Sequence, residues 1–566
     1  MESLAIWKQV MLYALSSATA GLMAALCVLT AAFSGKIRNS VGNLKSLKVL
    51  SLSEREFSGP VPHSIWNLSQ LSYLSLSSNY FNGQFPSSLN LAKITQLHLE
   101  NNEFSGEFPS SLNLPHLKSL DVSDNNFRSQ IPSSLRNLTQ LTSLDLSDNY
   151  FHGSFPLSLL YLLEEIGFHN TSLTGPIPSR AFNNLTFLSS LDLSTNSLNG
   201  VIPSSLLTLP LLEVLILDDN QFIGLESILI SNSSELFTLT LGGNKLNGHF
   251  PTSIFKLNRL TNLYLNSNNL SGRVDLGIVF SELSMLNNLD LSYNSLSLTT
   301  NGPLVVPPMF TLYFSISNNS LTGTIDPLFC NLWNLRLLDA SSNRLGGSIF
   351  QCLGNWGLAV LNLRRNNFHG NIPHICTRKD RLMTLDLSRN QLYGNIPRIC
   401  RGSKFMSVDL SNNKFDGEIP TTLWHLRFLI MLNLSSNNFN GLIPSAIANL
   451  KELESLDLSN NKLFGKIPQQ LTTLTFLAYL NLSHNQLMGQ IPQGGQVSTF
   501  QDSSFEGNLG LYGIPLSRKC ETPTLPASND EYNNEKSDSI FGFGWKSIVV
   551  GYGCGLLIGM VAGPVC

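Results

Sequence analysis

Cys330, Cys352, Cys376 and Cys400 stand 22, 24 and 24 residues apart, a spacing that stacks four thiols on one flank of a repeating chain. In an oxidising compartment neighbours can bridge, Cys330 to Cys352 and Cys376 to Cys400. Four cysteines nevertheless allow three pairings, and a ladder of reduced, buried thiols fits the same spacing. No histidine cluster accompanies them, so no metal is expected there. Nine Asn-x-Ser/Thr sequons, at Asn67, Asn137, Asn170, Asn184, Asn232, Asn269, Asn318, Asn433 and Asn481, carry the amide that accepts an N-glycan in an exported chain. An Asn- and Ser-rich repeat also produces sequons by chance. There is no glycine-rich phosphate loop, kinase catalytic loop, nucleophile elbow or metal-binding pair, and the acidic residues fall on repeat positions. The reading is of a protein that is not an enzyme, with no cofactor.

The elements that position these groups are repeats. The pattern L-x-L-x-x-N-x-L/F-x-G occurs nineteen times at a period of 22 to 26 residues, clearly at Leu74 to Gly83, Leu144 to Gly153 and Leu456 to Gly465. Such a period means a solenoid, not the several domains that 566 residues would otherwise suggest. In L-x-L the leucines point inward and the x residues face solvent, so stacked coils form a parallel sheet. An Asn at one fixed point of every coil has the donors and acceptor to satisfy backbone groups where the chain leaves the strand. Arg55 and Thr171 hold that slot in two irregular copies. Thirteen copies continue as Gly-x-apolar-Pro, for example Gly200 to Pro203 and Gly489 to Pro492. Local irregularity is expected after Asn220, where the proline is lost, and after Asn294, where Leu296 to Pro308 breaks the pattern.

If a ligand is bound, the solvent-facing strand positions should bind it. The residues that depart from the Ser/Asp background there are His98, Glu100, Asp218, Asp219, Tyr264, Asn266, Arg364, Arg365, Arg389 and His484. Arg364, Arg365 and Arg389 form the best local cluster and would suit an acidic or sulfated group. Against each stands the plain alternative of a solvated face.

Only 13% of residues are charged, 42% are hydrophobic, and the net charge is −3. No basic block stands out, so nucleic acid is excluded as a partner. Residues 1–32 read as a signal peptide or signal anchor, with Ala18 to Ala20 and Thr30 to Ala32 both offering small residues for cleavage. The solenoid is expected over 33–492, a C-terminal cap over 493–520, and an acidic spacer over 521–546. Residues 547–566 are twenty uncharged residues, enough for a single membrane helix. Gly551, Gly555, Gly559 and Gly563 would line one face of it and allow close packing with another membrane helix.

The Gly-x-apolar-Pro extension is a hallmark of plant extracellular leucine-rich repeats. With the acidic spacer and glycine-patterned helix, the chain resembles the plant receptor-like proteins of the Cf and Verticillium-resistance type. The resemblance implies an α/β repeat solenoid wound as a right-handed superhelix with a concave parallel sheet, a second short sheet, and one C-terminal transmembrane helix. It also implies a kinase-less plasma-membrane receptor with an extracellular N-terminal ectodomain. Such a receptor senses a pathogen-derived or developmental peptide, protein or glycan, and signals through an adaptor kinase and a co-receptor kinase. Val408 to Pro492 matches the family's final block. Three departures are visible. The cap has Tyr512 where the family has a cysteine, the family's N-terminal cap is absent, and the non-repeat island is missing because Asn390 and Asn413 are only 23 residues apart. These departures read as truncation or a decoy. The alternative is a secreted inhibitor of cell-wall hydrolases similar to the polygalacturonase-inhibiting proteins.

Overall fold

The computed structural model describes residues 25–27, 34–156, 162–182, 185–227, 234–299, 312–325, 334–349, 357–373, 381–397 and 404–517. Cys330, Cys352, Cys376, Cys400, Cys520, Asn184, Asn232, the spacer and the expected membrane helix with its four glycines lie outside these residues. Among the described residues no helix is long and apolar enough to cross a membrane. The chain forms two compact units, Met1–Gly346 with Asn355–Leu358, and Gly347–Gly354 with Ala359–Cys566.

In the first unit, fourteen three-residue strands from Ala25–Cys27 to Leu337–Asp339 form a parallel main sheet, one strand per coil. Register is uniform, so the same repeat position meets itself on each neighbour: Leu74 pairs with Leu97, Leu97 with Leu120 and Leu120 with Leu144. In the second unit six strands from Val360–Asn362 to Tyr479–Asn481 repeat the arrangement. Each middle residue is buried and its flanks are at least partly exposed in most strands, the expected alternation of a sheet covered on one face.

The Gly-x-apolar-Pro extension builds a second set of short parallel sheets in both units. Glu56–Pro60, Tyr80–Gln84 and Glu103–Gly106 pair in the first, and Gln391–Gly394, Lys414–Glu418 and Asn438–Asn440 in the second. Its glycines adopt positive φ, +79° at Gly200 and +91° at Gly489, which explains the residue type. The irregularity foreseen after Asn220 appears as a register shift at Gly200/Val201 against Gln221–Leu225. The rest of each coil is mostly 3-10 turn, with α-helix at Ser204–Leu207 and Leu276–Glu282 among the described residues.

Asparagine joins the coils. Asn437 is 9% exposed. Its Nδ2 donates to Leu410 O at 3.0 Å, Leu434 O at 3.2 Å and Ser435 O at 3.1 Å, while Oδ1 accepts from Phe415 N at 3.1 Å. Leu410 and Phe415 belong to the preceding coil, so one side chain closes its own turn and ties down its neighbour. Thr171 keeps part of this function, its single O–H lying within hydrogen-bond distance of Asn196 Oδ1 at 2.7 Å and of Phe168 O at 3.1 Å. Phenylalanines two residues after the slot stack behind the ladder, with ring centroids 5.9 Å apart for Phe57 and Phe81 and 6.4 Å for Phe104 and Phe127.

Both ends hold one element that the repeat pattern misses. Asn508 makes a further rung inside the cap, donating to Leu482 O, Phe505 O and Glu506 O and accepting from Leu487 N. Gly510–Tyr512 then pairs with Met488–Gln490. At the front, Ala25–Cys27 pairs with Val49–Ser51, inside the stretch read as a leader, and supplies a strand to the coil that continues at Ser34–Gly35. The apolar residues around this strand offer no polar positions to reveal the period, so the strand is invisible in the sequence although the tail of its coil, Phe33 to Ile37, reads as the end of a repeat.

Replacing Asn437 by Ala removes the two N–H donors shared among three carbonyls and the oxygen that accepts from Phe415 N, and leaves buried carbonyls and an amide unpaired. It should cost about 3 kcal/mol or more in chemical denaturation of the full chain. Asn437→Asp should cost a similar amount, because a carboxylate cannot donate to three carbonyls; an Asp variant as stable as the parent would contradict the ladder.

Candidate ligand-recognition surface

The exposed face of each main sheet carries three columns of side chains per coil, at the residue before the first leucine of L-x-L, the residue after it and the residue after the second leucine. His98 and Tyr264 stand in the second column, and Glu100, Asp218, Asn266 and Arg364 in the third. Of these only His98 and Tyr264 lie within strand bounds; Glu100, Asp218, Asn266 and Arg364 follow the strand by two residues, and Asp219, Arg365, Arg389 and His484 stand one residue further on, in the turn. Each of these last four is the residue before the slot Asn, with φ of +51°, +55°, +55° and +54°. Both backbone groups of that residue are held between coils: Asp219 N donates to Gly242 O, and Asn196 N donates to Asp219 O. These inter-coil bonds hold non-glycine residues in a left-handed conformation that costs roughly 1–3 kcal/mol each. The side chains there are exposed at the strand exits.

Near the middle of the first unit three of the expected residues converge. Asp218 and Asn266 lie two coils apart with Gly242 between them. A Cβ on Gly242 would fall 2.7 Å from Asn266 Oδ1 and 2.9 Å from Asp218 Oδ1, so glycine makes their approach possible. Asp218 Oδ1 accepts from Gly242 N. Tyr264 stands beside them, its ring 6.4 Å from that of Tyr313, whose hydroxyl donates to Asp290 Oδ2 at 2.8 Å. Burial pushes the Asp218 carboxyl up to about 6, and Asp219 and Asp192 add to the rise. Burial, then Asp290 and Asp218, raise the Tyr264 phenol. The cluster offers hydroxyl, carboxyl and amide groups on rigid backbone, suited to hydrogen-bonding an extended chain.

The arginines of the second unit separate into two environments. Arg364 lies 3.9 Å from Asp386 on the next coil, and its charge also opposes the rise that burial and Asp386 impose on Asp409. Arg365 and Arg389 are exposed on successive coils, where Asn366 N donates to Arg389 O. Asp386, Asp409 and Asp457 face the same column, with Asn433 between the last two. His484 packs over Gly507, where a Cβ would collide with the imidazole.

The sequons differ in geometry. Asn67, Asn137, Asn170 and Asn269 are exposed, and Asn318 and Asn481 are half-buried. Asn433 is 9% exposed; its Nδ2 donates to Asp409 Oδ2, and its Oδ1 accepts from Ser435 N and Oγ. That amide is engaged within the sheet.

Choosing residues by their departure from the Ser/Asp background passed over Asp121 and Asp290, and looking only at the x positions of L-x-L passed over Tyr313, which precedes the first leucine position of its strand. Asp121 matches the background, yet register sets it opposite His98. One repeat period added to His98 would have found it.

Two family models match the chain. Leucine rich repeat covers residues 92–151, 403–463 and 429–487, and a second Leucine Rich Repeat model covers 70–91, 187–209, 312–332, 334–356 and 381–403. Receptor-like protein 6 of Arabidopsis thaliana is 45% identical over 89 residues, 15% of this chain and 9% of that protein. The Receptor-like protein Cf-9 homolog of Solanum lycopersicum is 40% identical over 70 residues, 12% of this chain and 8% of that protein. The aligned segments are therefore small parts of these curated relatives. Solved structures match over far more. The plant peptide hormone receptor RGFR1, in complex with RGF2, is 31% identical with a TM-score of 0.74, over 86% of this chain and 79% of that one. The Arabidopsis receptor kinase HAESA, in complex with the peptide hormone IDA and the co-receptor SERK1, is 32% identical with a TM-score of 0.67, over 88% of each chain.

Asp218 gives a test of the electrostatics. A carboxyl raised from 3.8 to about 6 is penalised only when ionised. Its stabilising contribution is therefore fully present below the unfolded value and lost as pH rises through the folded one. Asp218→Asn should stabilise the protein by about 1–3 kcal/mol at pH 7.5 and by nothing measurable at pH 3.5, in paired thermal melts. Equal effects at both pH values would rule out the burial penalty.

Proposed function

The chain belongs to the plant leucine-rich-repeat receptor-like proteins, and on that premise we propose that it is a cell-surface receptor whose main-sheet face recognises an extracellular peptide or protein and whose signal passes through partner receptor kinases. The observation that carries this reading is the likeness, along 88% of both chains, to an ectodomain solved with a peptide hormone and a co-receptor. What this chain offers for the same purpose is a rigid strand face, on which Asp218, Tyr264 and Asn266 present polar groups. His98 and Glu100 lie on the same face of the first unit. In the second unit Arg364, Arg365, Arg389 and His484 border it, and the exposed Arg365 and Arg389 suit an acidic or sulfated group of the ligand.

Residues 547–566 are the proposed single membrane span at the plasma membrane, with the repeats outside and the exposed sequons glycosylated. Gly551, Gly555, Gly559 and Gly563 form the proposed packing face for an adaptor kinase. Val408 to Pro492, next to the cap, is the proposed docking block for a ligand-recruited co-receptor. The signal is proposed to be a defence response, as the resemblance to the Cf and Verticillium-resistance type implies.

Membrane fractionation of the tagged chain from plant cells tests these links together. The protein should resist carbonate extraction, shift on glycosidase treatment and co-purify with a receptor kinase. Gly551→Leu, Gly555→Leu and Gly559→Leu combined should reduce that co-purification at least about tenfold while leaving glycosylation intact. Recovery in the soluble cell-wall fraction would refute the receptor and favour the secreted inhibitor.

A further inference from the structure

We propose that His98, Glu100 and Asp121 bind one divalent transition-metal ion of the zinc class on the exposed face of the first unit's main sheet. His98 and Asp121 are register partners on adjacent strands, and Glu100 follows His98 by two residues on the same coil. One ligand atom from each lies within 4.8 Å of the other two. His98 Nδ1 and Glu100 Oε2 are 3.8 Å apart, too far for a hydrogen bond. Two ligands of one tetrahedral zinc, at bonds of about 2.0–2.1 Å, stand roughly 3.3 Å apart. A small side-chain rotation closes the difference.

Two further observations separate this cluster from the other acidic positions of the sheet. Glu100 Oε2 is sealed from solvent and has no hydrogen-bond partner. A buried, unpaired carboxylate oxygen is costly unless something positive occupies the space in front of it. Asp145, Asp192, Asp386 and Asp457 each spend one oxygen on the backbone N–H of the serine two residues on. Asp121 does the same, with Ser123 N at 3.0 Å and Ser123 Oγ at 2.7 Å both on Oδ1, which leaves Oδ2 for a metal. No hydrogen bond among the described residues engages the His98 ring nitrogens, and the Tyr73 ring, 5.7 Å away, packs against the imidazole.

One imidazole nitrogen and two carboxylate oxygens suit zinc or cobalt, and three protein ligands leave a position open on the exposed side. Calcium, which takes six to eight oxygens, is poorly matched. The open position can accept water or a carboxylate or imidazole from a bound chain. The inference concerns the site alone and does not depend on the receptor reading.

The test is cobalt and zinc titration of the metal-stripped full chain in detergent. The parent should take up one equivalent of Co2+ with the visible d–d absorption of a four-coordinate nitrogen and oxygen site, without a thiolate charge-transfer band, and Zn2+ should displace it. His98→Ala, Glu100→Gln and Asp121→Asn should each weaken binding about tenfold or more. Zn2+ should also raise the melting temperature of the parent but not that of Glu100→Gln, a near-isosteric change that removes an unpaired charge and so keeps the fold. Absence of stoichiometric uptake, a thiolate band, or an equal thermal shift in parent and Glu100→Gln would overturn the site.

Discussion

The requirement that every coil satisfy the backbone of its neighbour governs the rest of this structure. A strand of three residues cannot hold a sheet alone, and the chain must turn sharply after each one. The slot asparagine resolves both problems with one amide, as Asn79, Asn102 and Asn125 show on consecutive coils. Asn102 Nδ2 donates to Leu76 O of the preceding coil, and Phe81 N of that coil donates to Asn102 Oδ1. Buried groups paired in this way cost little, and the same groups unpaired would cost about 1–3 kcal/mol each. The left-handed residue before each asparagine follows from this. Its strain is tolerated because its own N–H and C=O are held by adjacent coils.

That rigidity is what makes the exposed face usable for recognition. Side chains on uniform register are placed by the sheet, not by flexible loops, so residues one repeat apart become neighbours. His98 meets Asp121, and Asp218 meets Asn266 across Gly242. The same uniformity brings carboxylates together, and burial then raises several of them. Serines two residues on from many of the aspartates restrain that effect by donating to them, which gives the recurrent L-D-L-S its physical basis. Where the serine is replaced, the column acquires a charged group: a carboxyl at Glu100, and at Arg364 a guanidinium that pairs with Asp386 on the next coil.

Much of the fold was legible because its period is carried by residue types with one physical task each. Leucine alternation announced the strand and asparagine the turn, while the second sheet was implied by the family resemblance that the glycine and proline carry. Legibility failed where contrast was lost or where the pattern was read too locally. The strand at Ala25–Cys27 is apolar throughout, and Asn508 sits in a cap whose flanking sequence no longer repeats. Asp219, Arg365, Arg389 and His484 were read as strand residues by counting from the leucines. A residue one place before the asparagine is already in the turn, because the chain must reverse there to present the amide.

The sequence by itself therefore determined the repeat, the parallel sheets, the ladder and the family resemblance, since each follows from short-range spacing repeated many times. Only the tertiary structure decided which side chains meet. Partners on adjacent coils are separated by a full period along the chain, and their distance depends on register, rotamer and the size of the residue between them. It set Asn433 into a hydrogen-bonded column, paired Arg364 with Asp386, and sealed one oxygen of Glu100 beside His98 and Asp121. Those outcomes depend on atoms brought together by stacking, which no single repeat contains.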